Sequence, residues 1–233
     1  MFLAGFHTSA STIAWIFIEL TRYPDVQAKL RRALHSAYSA AHAERRAPSN
    51  AELNKIRVPY LDAVLEEVLR LHATLVSREA MRDTQLMGYH IPKGTMLLVM
   101  ANGPGFHSPS LPAAAALRGP AGEKGSGWDE SGDMSAFDPE RWLRKKEGAS
   151  EDEAFEFNAN AAPLNSFGLG VRGCWGKKMA YMQLRLIVAL VVWHFDLQPV
   201  PTALENPTAT MSIIHRADQC WLRLKSRDDT HHE

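Results

Sequence analysis

The chain has 233 residues, 45% of them hydrophobic, and its 26 Lys and Arg are matched by 26 Asp and Glu. That apolar share supplies a sizeable core for one or two domains, and a formal net charge of zero removes the basic excess on which nucleic-acid binding draws. The two cysteines, Cys174 and Cys220, lie far apart without metal-ligand spacing, which excludes a zinc cluster or a disulfide framework and fits a reducing compartment.

Met1 to Leu20 is nearly uncharged, with no Lys or Arg before Arg22 and with Glu19 interrupting its apolar end. It lacks the positive start of a signal peptide and the clean run of a membrane span, so we read a helix from Phe2 to Arg22 that stops before Pro24. A helix apolar on most faces belongs in the middle of a larger body. Asp25 to His42 reads as a second, amphipathic helix, Pro48-Ser49-Asn50 as a break, and Pro59 to Leu71 as a third, strongly periodic helix. From Val76 to Val99 the pattern is strand-like, with a turn at Pro92-Lys93-Gly94. Gly103 to Ala136, rich in Gly, Pro, Ser and Ala, reads as a long surface loop. Lys177 to Leu190 is a helix, and Pro199 to Leu224 reads as turns with a final strand pair around Gln219-Cys220-Trp221-Leu222. Asp228 onward is expected to fray.

The segment Phe167-Gly168-Leu169-Gly170-Val171-Arg172-Gly173-Cys174-Trp175-Gly176 sets one cysteine in a glycine-rich loop immediately before that last long helix. Unpaired N–H groups and the positive end of the helix dipole favour an anion there, hence the thiolate that ligates metals. Gly170, Gly173 and Gly176 let the chain turn tightly against a flat ligand. The arrangement suits a buried thiolate ligand to iron.

Phe167, Gly170, Arg172, Cys174 and Gly176 match the FxxGxRxCxG signature, and the chain resembles the cytochrome P450 family of haem-thiolate monooxygenases. Glu67-Val68-Leu69-Arg70 is similar to that family's ExxR motif, and Phe137-Asp138-Pro139-Glu140-Arg141-Trp142 to its second arginine motif. The resemblance implies a buried structural triad of Glu67, Arg70 and Arg141 on the cysteine side of the haem. Spacing alone places Glu67 and Arg70 on one helical face. Ala4-Gly5-Phe6-His7-Thr8-Ser9 resembles the oxygen-activation segment, which makes Thr8 the candidate for proton delivery. His7 departs from the usual acid there, and its imidazole is the candidate substitute relay.

The implied cofactor is heme b, iron protoporphyrin IX, held through the Cys174 thiolate. Arg172 and Arg78 match positions that contact its propionates, a task suited to guanidinium groups. Phe167, Gly170 and Gly176 complete the loop. Leu75, Val76, Ser77 and part of Ala209 to Ile214 would face substrate, and Lys177 and Lys178 with Arg144, Lys145 and Lys146 would form a basic surface for an acidic flavoprotein.

The implied fold is mainly α with a minor antiparallel β component. The chain would be the C-terminal half of the P450 fold, truncated at its central helix, as a single partial domain. Within it, 1–22 is the oxygen-activation helix, 59–72 the ExxR helix, 103–136 the surface loop and 167–195 the cysteine loop with its helix. The implied activity is insertion of one oxygen atom from O2 into a small hydrophobic organic substrate, with electrons from an NADPH-dependent flavoprotein reductase. The wording of the motifs resembles fungal enzymes of secondary metabolism, whose full-length relatives are anchored in the endoplasmic reticulum membrane facing the cytosol. This chain shows no convincing anchor. Two alternatives stay open on the same residues: a truncated, inactive remnant without stable haem binding, and a haem-thiolate enzyme with isomerase, dehydratase or peroxygenase chemistry.

Overall fold

Prolines mark several of the helix starts. In the computed structural model, which describes residues 2–86, 88–108, 132–146, 155–205, 207–212 and 214–227, helix α1 (Phe2–Arg22) is separated by Tyr23 alone from Pro24, which opens α2 (Pro24–Ala37). The helix expected to run on to His42 is instead two. Tyr38 leaves the helical basin at φ −105°, ψ 45°, and α3 (Ser39–Ala43) restarts beyond it. Its ring is 3% exposed, so core packing supports the break. The stretch read as a break at Pro48-Ser49-Asn50 leads straight into α4 (Asn50–Lys55), capped reciprocally by the Ser49 hydroxyl and the Glu52 carboxylate. Pro59 opens α5 (Pro59–Leu71), whose residues from Tyr60 to Arg70 are all buried.

Among the described residues the sheets are five separate antiparallel pairs. Strand β1 (Leu75–Glu79) pairs with β4 (Met96–Met100), and the hairpin β2 (Thr84–Leu86) with β3 (Tyr89–Ile91) lies between them in sequence. Gly94, at φ +84°, makes the turn into β4. After α6 (Pro104–His107), residues 109–131 of the expected surface loop lie outside the described residues. A 3-10 turn (Pro139–Trp142) leads into β5 (Leu143–Lys145), paired with β6 (Phe155–Phe157). Helix α7 (Lys177–His194) runs into β7 (Phe195–Gln198); α8 (Thr202–Glu205) and the pair β8 (Ala209–Met211) and β9 (His215–Ala217) follow. The final strand pair is not at Gln219 to Leu222: β10 (Arg223–Ser226) pairs with β7, so the chain end closes onto the exit of α7. The expected frayed end from Asp228 lies outside the described residues.

The core gathers α1, α2, α5 and α7, with Ile16, Leu20, Leu30, Leu34, Val64 and Val188 fully buried. Helix α1 is central only in its second half. Residues Trp15 to Leu20 are buried on every face, whereas Phe6 is 64% exposed and Thr8 is open. No helix among the described residues is long and apolar enough to cross a membrane.

Candidate functional site

Three arrangements meet around the end of α5. The first is a carboxylate knot. Glu67 and Arg70, one turn apart on α5, are both 0% exposed, and Arg70 forks onto Glu67 through Nε to Oε2 (2.9 Å) and Nη2 to Oε1 (2.8 Å). Arg141 Nε donates to Glu67 Oε1 at 2.9 Å, so the three predicted residues are brought together. Two further donors close the carboxylate: the Asp138 amide at 3.0 Å and the Trp142 indole at 2.8 Å. Trp142 was missed as a partner, although its position directly after Arg141 in the motif and its indole N–H were visible in the sequence.

The second is the cysteine loop. Gly168 and Gly170 have φ of +65° and +66°, which only glycine adopts without strain, and a Cβ on Gly173 would sit 3.1 Å from the Gly170 carbonyl. The resulting turn lets the Cys174 amide donate to the Phe167 carbonyl at 2.7 Å and ends at Gly176, the cap residue of α7. Cys174 is exposed rather than buried, and so are Leu169, Val171 and Trp175 at 72%, 102% and 95%. The loop leaves the Cys174 thiol accessible at the border of the cavity described next.

The third is a cavity of about 550 Å³. Cys174, Phe167 and Gly176 border it from the loop, Gly5 and Thr8 from α1, and Met179 from α7. Its far wall is an aromatic stack not foreseen in the sequence: Trp15 lies on His72 with ring centroids 3.8 Å apart and on His215 at 5.1 Å, and Glu19 accepts from His72 Nε2 at 2.9 Å. Burial holds the His215 imidazole down at about 4, with His72 and His107 adding to the effect, so it is neutral at physiological pH. The stack joins three segments distant in sequence, and no local pattern announces it.

Several predicted residues lie elsewhere. His7 is exposed, packs edge-on to Phe6 at 5.5 Å and does not border the cavity, since one residue along a helix turns the side chain by about 100°. Arg172 is exposed in a 3-10 turn (Gly170–Arg172). Arg78 Nη1 donates to the Ser77 carbonyl at 2.8 Å, while its Nη2 lies 3.8 Å from where a Cβ of Gly168 would be, which brings it to the loop. Leu75, Val76 and Ser77 do not border the cavity; Thr74 and Ile214 do. Of the basic residues, Lys177 and Lys178 line a groove of about 730 Å³ beside Cys174 together with Arg57 and Arg185, whereas Arg144 is paired with Glu156.

Behind the loop, Glu66 is 7% exposed and accepts from the Tyr181 hydroxyl at 2.6 Å, while its Oε2 is buried without a partner. Desolvation lifts this carboxyl to about 7, against the Tyr181 hydrogen bond and Lys177, which act the other way.

A single accessible thiol beside an apolar cavity fits iron already held by a macrocycle better than a bare ion, which needs several protein ligands. Among the described residues no three His, Cys, Asp or Glu side chains converge to hold a metal by themselves. The family model for cytochrome P450 matches residues 1–105 and 133–219. The chain belongs to the cytochrome P450 family. It is 40% identical to cytochrome P450 monooxygenase xilC of Penicillium rubens over 97% of this chain, and 37% identical to the monooxygenase TRI13 of Fusarium sporotrichioides over 99%. It is also 40% identical to a P450 monooxygenase, cyp3.1, of Dothistroma septosporum over 95% of this chain and 74% of that protein. The chain spans 39% and 41% of the Penicillium and Fusarium P450s. A crystal structure of a cytochrome P450 (CYP102L1), 24% identical, superposes with a TM-score of 0.66 over 94% of this chain and 42% of the other, which shows the shared fold.

Proposed function

We propose that this P450 chain carries the cysteine side and the oxygen-activation helix of a haem-thiolate monooxygenase acting on a small hydrophobic organic molecule. The observation that carries the reading is that Cys174 and Thr8, from opposite ends of the sequence, border one cavity. The apolar cavity and the outward thiol fit heme b. Cys174 would supply the thiolate ligand, Phe167, Gly170 and Gly176 the shape of the loop around it, and Arg78 and Arg172 the cations for the propionates. When bound, the haem supplies the oxygen chemistry, with the thiolate pushing electron density toward O–O cleavage.

The chain's own residues do the rest. The Glu67–Arg70–Arg141 knot holds the structure behind the loop rigid, and the turn at Gly170 keeps the thiol pointed at the cavity. The Thr8 hydroxyl is placed to hold or pass a proton at the cavity wall without help from His7, which faces away from it. Thr74 and Ile214 support an apolar substrate surface, and the groove lined by Arg57, Lys177, Lys178 and Arg185 supports docking of an NADPH-dependent flavoprotein reductase. Attachment to the endoplasmic reticulum membrane and a role in fungal secondary metabolism belong to this same reading through the resemblance of the motifs alone.

The test is the carbon monoxide difference spectrum of the reduced, haem-reconstituted protein. Wild type is expected to give the red-shifted Soret band of thiolate ligation and Cys174→Ser to lose it. A wild-type band at the position of imidazole ligation, or one that survives in Cys174→Ser, overturns the assignment.

A further inference from the structure

We propose that Ser11 and Trp15 are positioning residues: they anchor the β8–β9 hairpin to α1 and so fix Ile214 as part of the cavity wall. The inference deepens the proposed function, on which it rests for what the cavity holds. Ser11, Trp15 and Glu19 follow one another at intervals of four, which sets them on one face of α1. Ser11 and Trp15 are 7% and 5% exposed. Both donate to one acceptor: the Ser11 hydroxyl and the Trp15 indole Nε1 each lie 2.9 Å from the His215 carbonyl. A carbonyl oxygen has two lone pairs, so it can take both bonds. The Trp15 ring is itself held, because it stacks on His72 at 3.8 Å and the Glu19 carboxylate, one turn further along the same face, binds His72.

The hairpin needs such an anchor. Strands β8 and β9 have three residues each and pair with each other alone, and a two-stranded pair of that size has little stability of its own in water. Its internal bonds give it a shape: Asp218 accepts from the hydroxyls of Thr208 at 2.8 Å and Thr210 at 2.7 Å, and the Ser212 amide donates to the Ile214 carbonyl at 3.0 Å. None of these bonds fixes where the hairpin stands. Its place is set by α1, on which β9 packs. Ile214 directly precedes His215 and borders the cavity, as Ser11 and Trp15 do. Two donors on the His215 carbonyl therefore hold the neighbouring Ile214 side chain at the wall of the cavity that Cys174 also borders.

Trp15→Phe keeps an aromatic ring for the stack and removes its donor, Ser11→Ala removes the other donor, and each single variant retains one bond. The first measurement is hydrogen exchange in the protein without haem. In the double variant the amides of residues 209–217 are expected to exchange about tenfold faster than in wild type, as two lost hydrogen bonds imply, while α7 keeps its wild-type rates. The single variants are expected to fall between. The second measurement is the Soret shift on titrating the haem-reconstituted proteins with imidazole and with 4-phenylimidazole. Both probes coordinate iron through the same ring, so the ratio of their dissociation constants reads the room beside it. The double variant is expected to move that ratio about tenfold in favour of the larger probe, the scale on which an apolar pocket wall discriminates.

Wild-type exchange rates in residues 209–217, or an equal acceleration in α7, overturn the anchor and leave Ser11 and Trp15 as core packing. An unchanged ratio in a protein whose hairpin exchanges faster overturns the positioning of Ile214. The imidazole titration needs iron in the cavity but not ligation by Cys174, so the two readings fail separately. A thiolate-type carbon monoxide spectrum with an unchanged ratio overturns the positioning alone. A shifted ratio without that spectrum overturns the ligand reading and leaves the positioning standing.

Discussion

At the scale of single residues, the strongest constraint is the hydrogen-bond closure of Arg70. Its Nε and one Nη2 donor go to Glu67, its Nη1 donors reach the carbonyls of Phe106 (2.8 Å) and Met134 (2.7 Å), and Nη2 also reaches Ala136 at 3.3 Å. Five N–H groups thus have five acceptors in a place with no solvent. Lysine has three donors and no fork, so Arg70→Lys leaves acceptors unmet and the Glu67 carboxylate half-paired. Removing one partner of a buried charged set costs about 3–5 kcal/mol. Glu67→Ala should cost at least as much, since Arg70 and Arg141 would then face each other without their anion. Trp142→Phe removes one donor to a charged acceptor and should cost about 1–3 kcal/mol. Urea denaturation midpoints are expected in the order Trp142→Phe, then Arg70→Lys, then Glu67→Ala, from smallest to largest loss. A Glu67→Ala protein as stable as wild type would show that the knot is not what holds this region.

At the scale of elements, the corner between α2, α3 and α7 carries a pH response of its own. His35 and His42 stack with centroids 4.0 Å apart, and Trp193 of α7 stands edge-on to His35 at 4.8 Å. Burial first, and then the neighbouring His42, hold His35 at about 4 instead of 6.5. The unfolded chain therefore binds the proton more readily between those values, and the corner loses stability as pH falls from about 6.5 to about 4. Wild type should lose more stability than His35→Gln when the pH falls from 7 to 5, the difference between the two urea midpoints reporting on His35 alone. An equal change in both proteins would show that the stacked pair is solvated.

The same corner shows how much was legible in the sequence. Helices bounded by proline, such as α1 and α5, could be read with their ends, because the ring fixes the backbone locally. The split at Tyr38 could not, since it follows from where the tyrosine ring is buried. Helix α4 was legible in principle from Ser49 and Glu52, a capping pair hidden behind Pro48. Glu67, Arg70 and Arg141 were named from motifs, whereas Trp142, Glu66 and the Trp15–His72–His215 stack became visible only once distant segments were brought together.

At the scale of the whole molecule, exposed apolar side chains gather, among the described residues, on β4 and around the cysteine loop. On β4, Met96, Leu98 and Met100 share one side of the strand and are 72%, 56% and 49% exposed. Their partners across the pair are Glu79, Ser77 and Leu75, so a single charge interrupts that face. Around the cysteine loop, Leu169, Val171 and Trp175 are exposed far more than large apolar side chains ordinarily are. A strand with an apolar face is a template for association, and contiguous apolar patches mark contact surfaces. The two faces should behave differently. Loading the cavity beside Cys174 with haem should shield the loop, but β4 belongs to another part of the fold and should stay sticky. The 233-residue chain is therefore expected to sediment as oligomers whose size grows with concentration, with or without haem. The double change Met96→Lys and Leu98→Glu, which sets a lysine opposite Glu79 and leaves net charge unchanged, should shift it toward the monomer without lowering its Tm by more than about 5 °C, since both side chains already stand in solvent. Sedimentation velocity over a hundredfold concentration range checks this. A wild-type chain that remains monomeric throughout would show that the apolar side of β4 is too small or too dispersed to drive association.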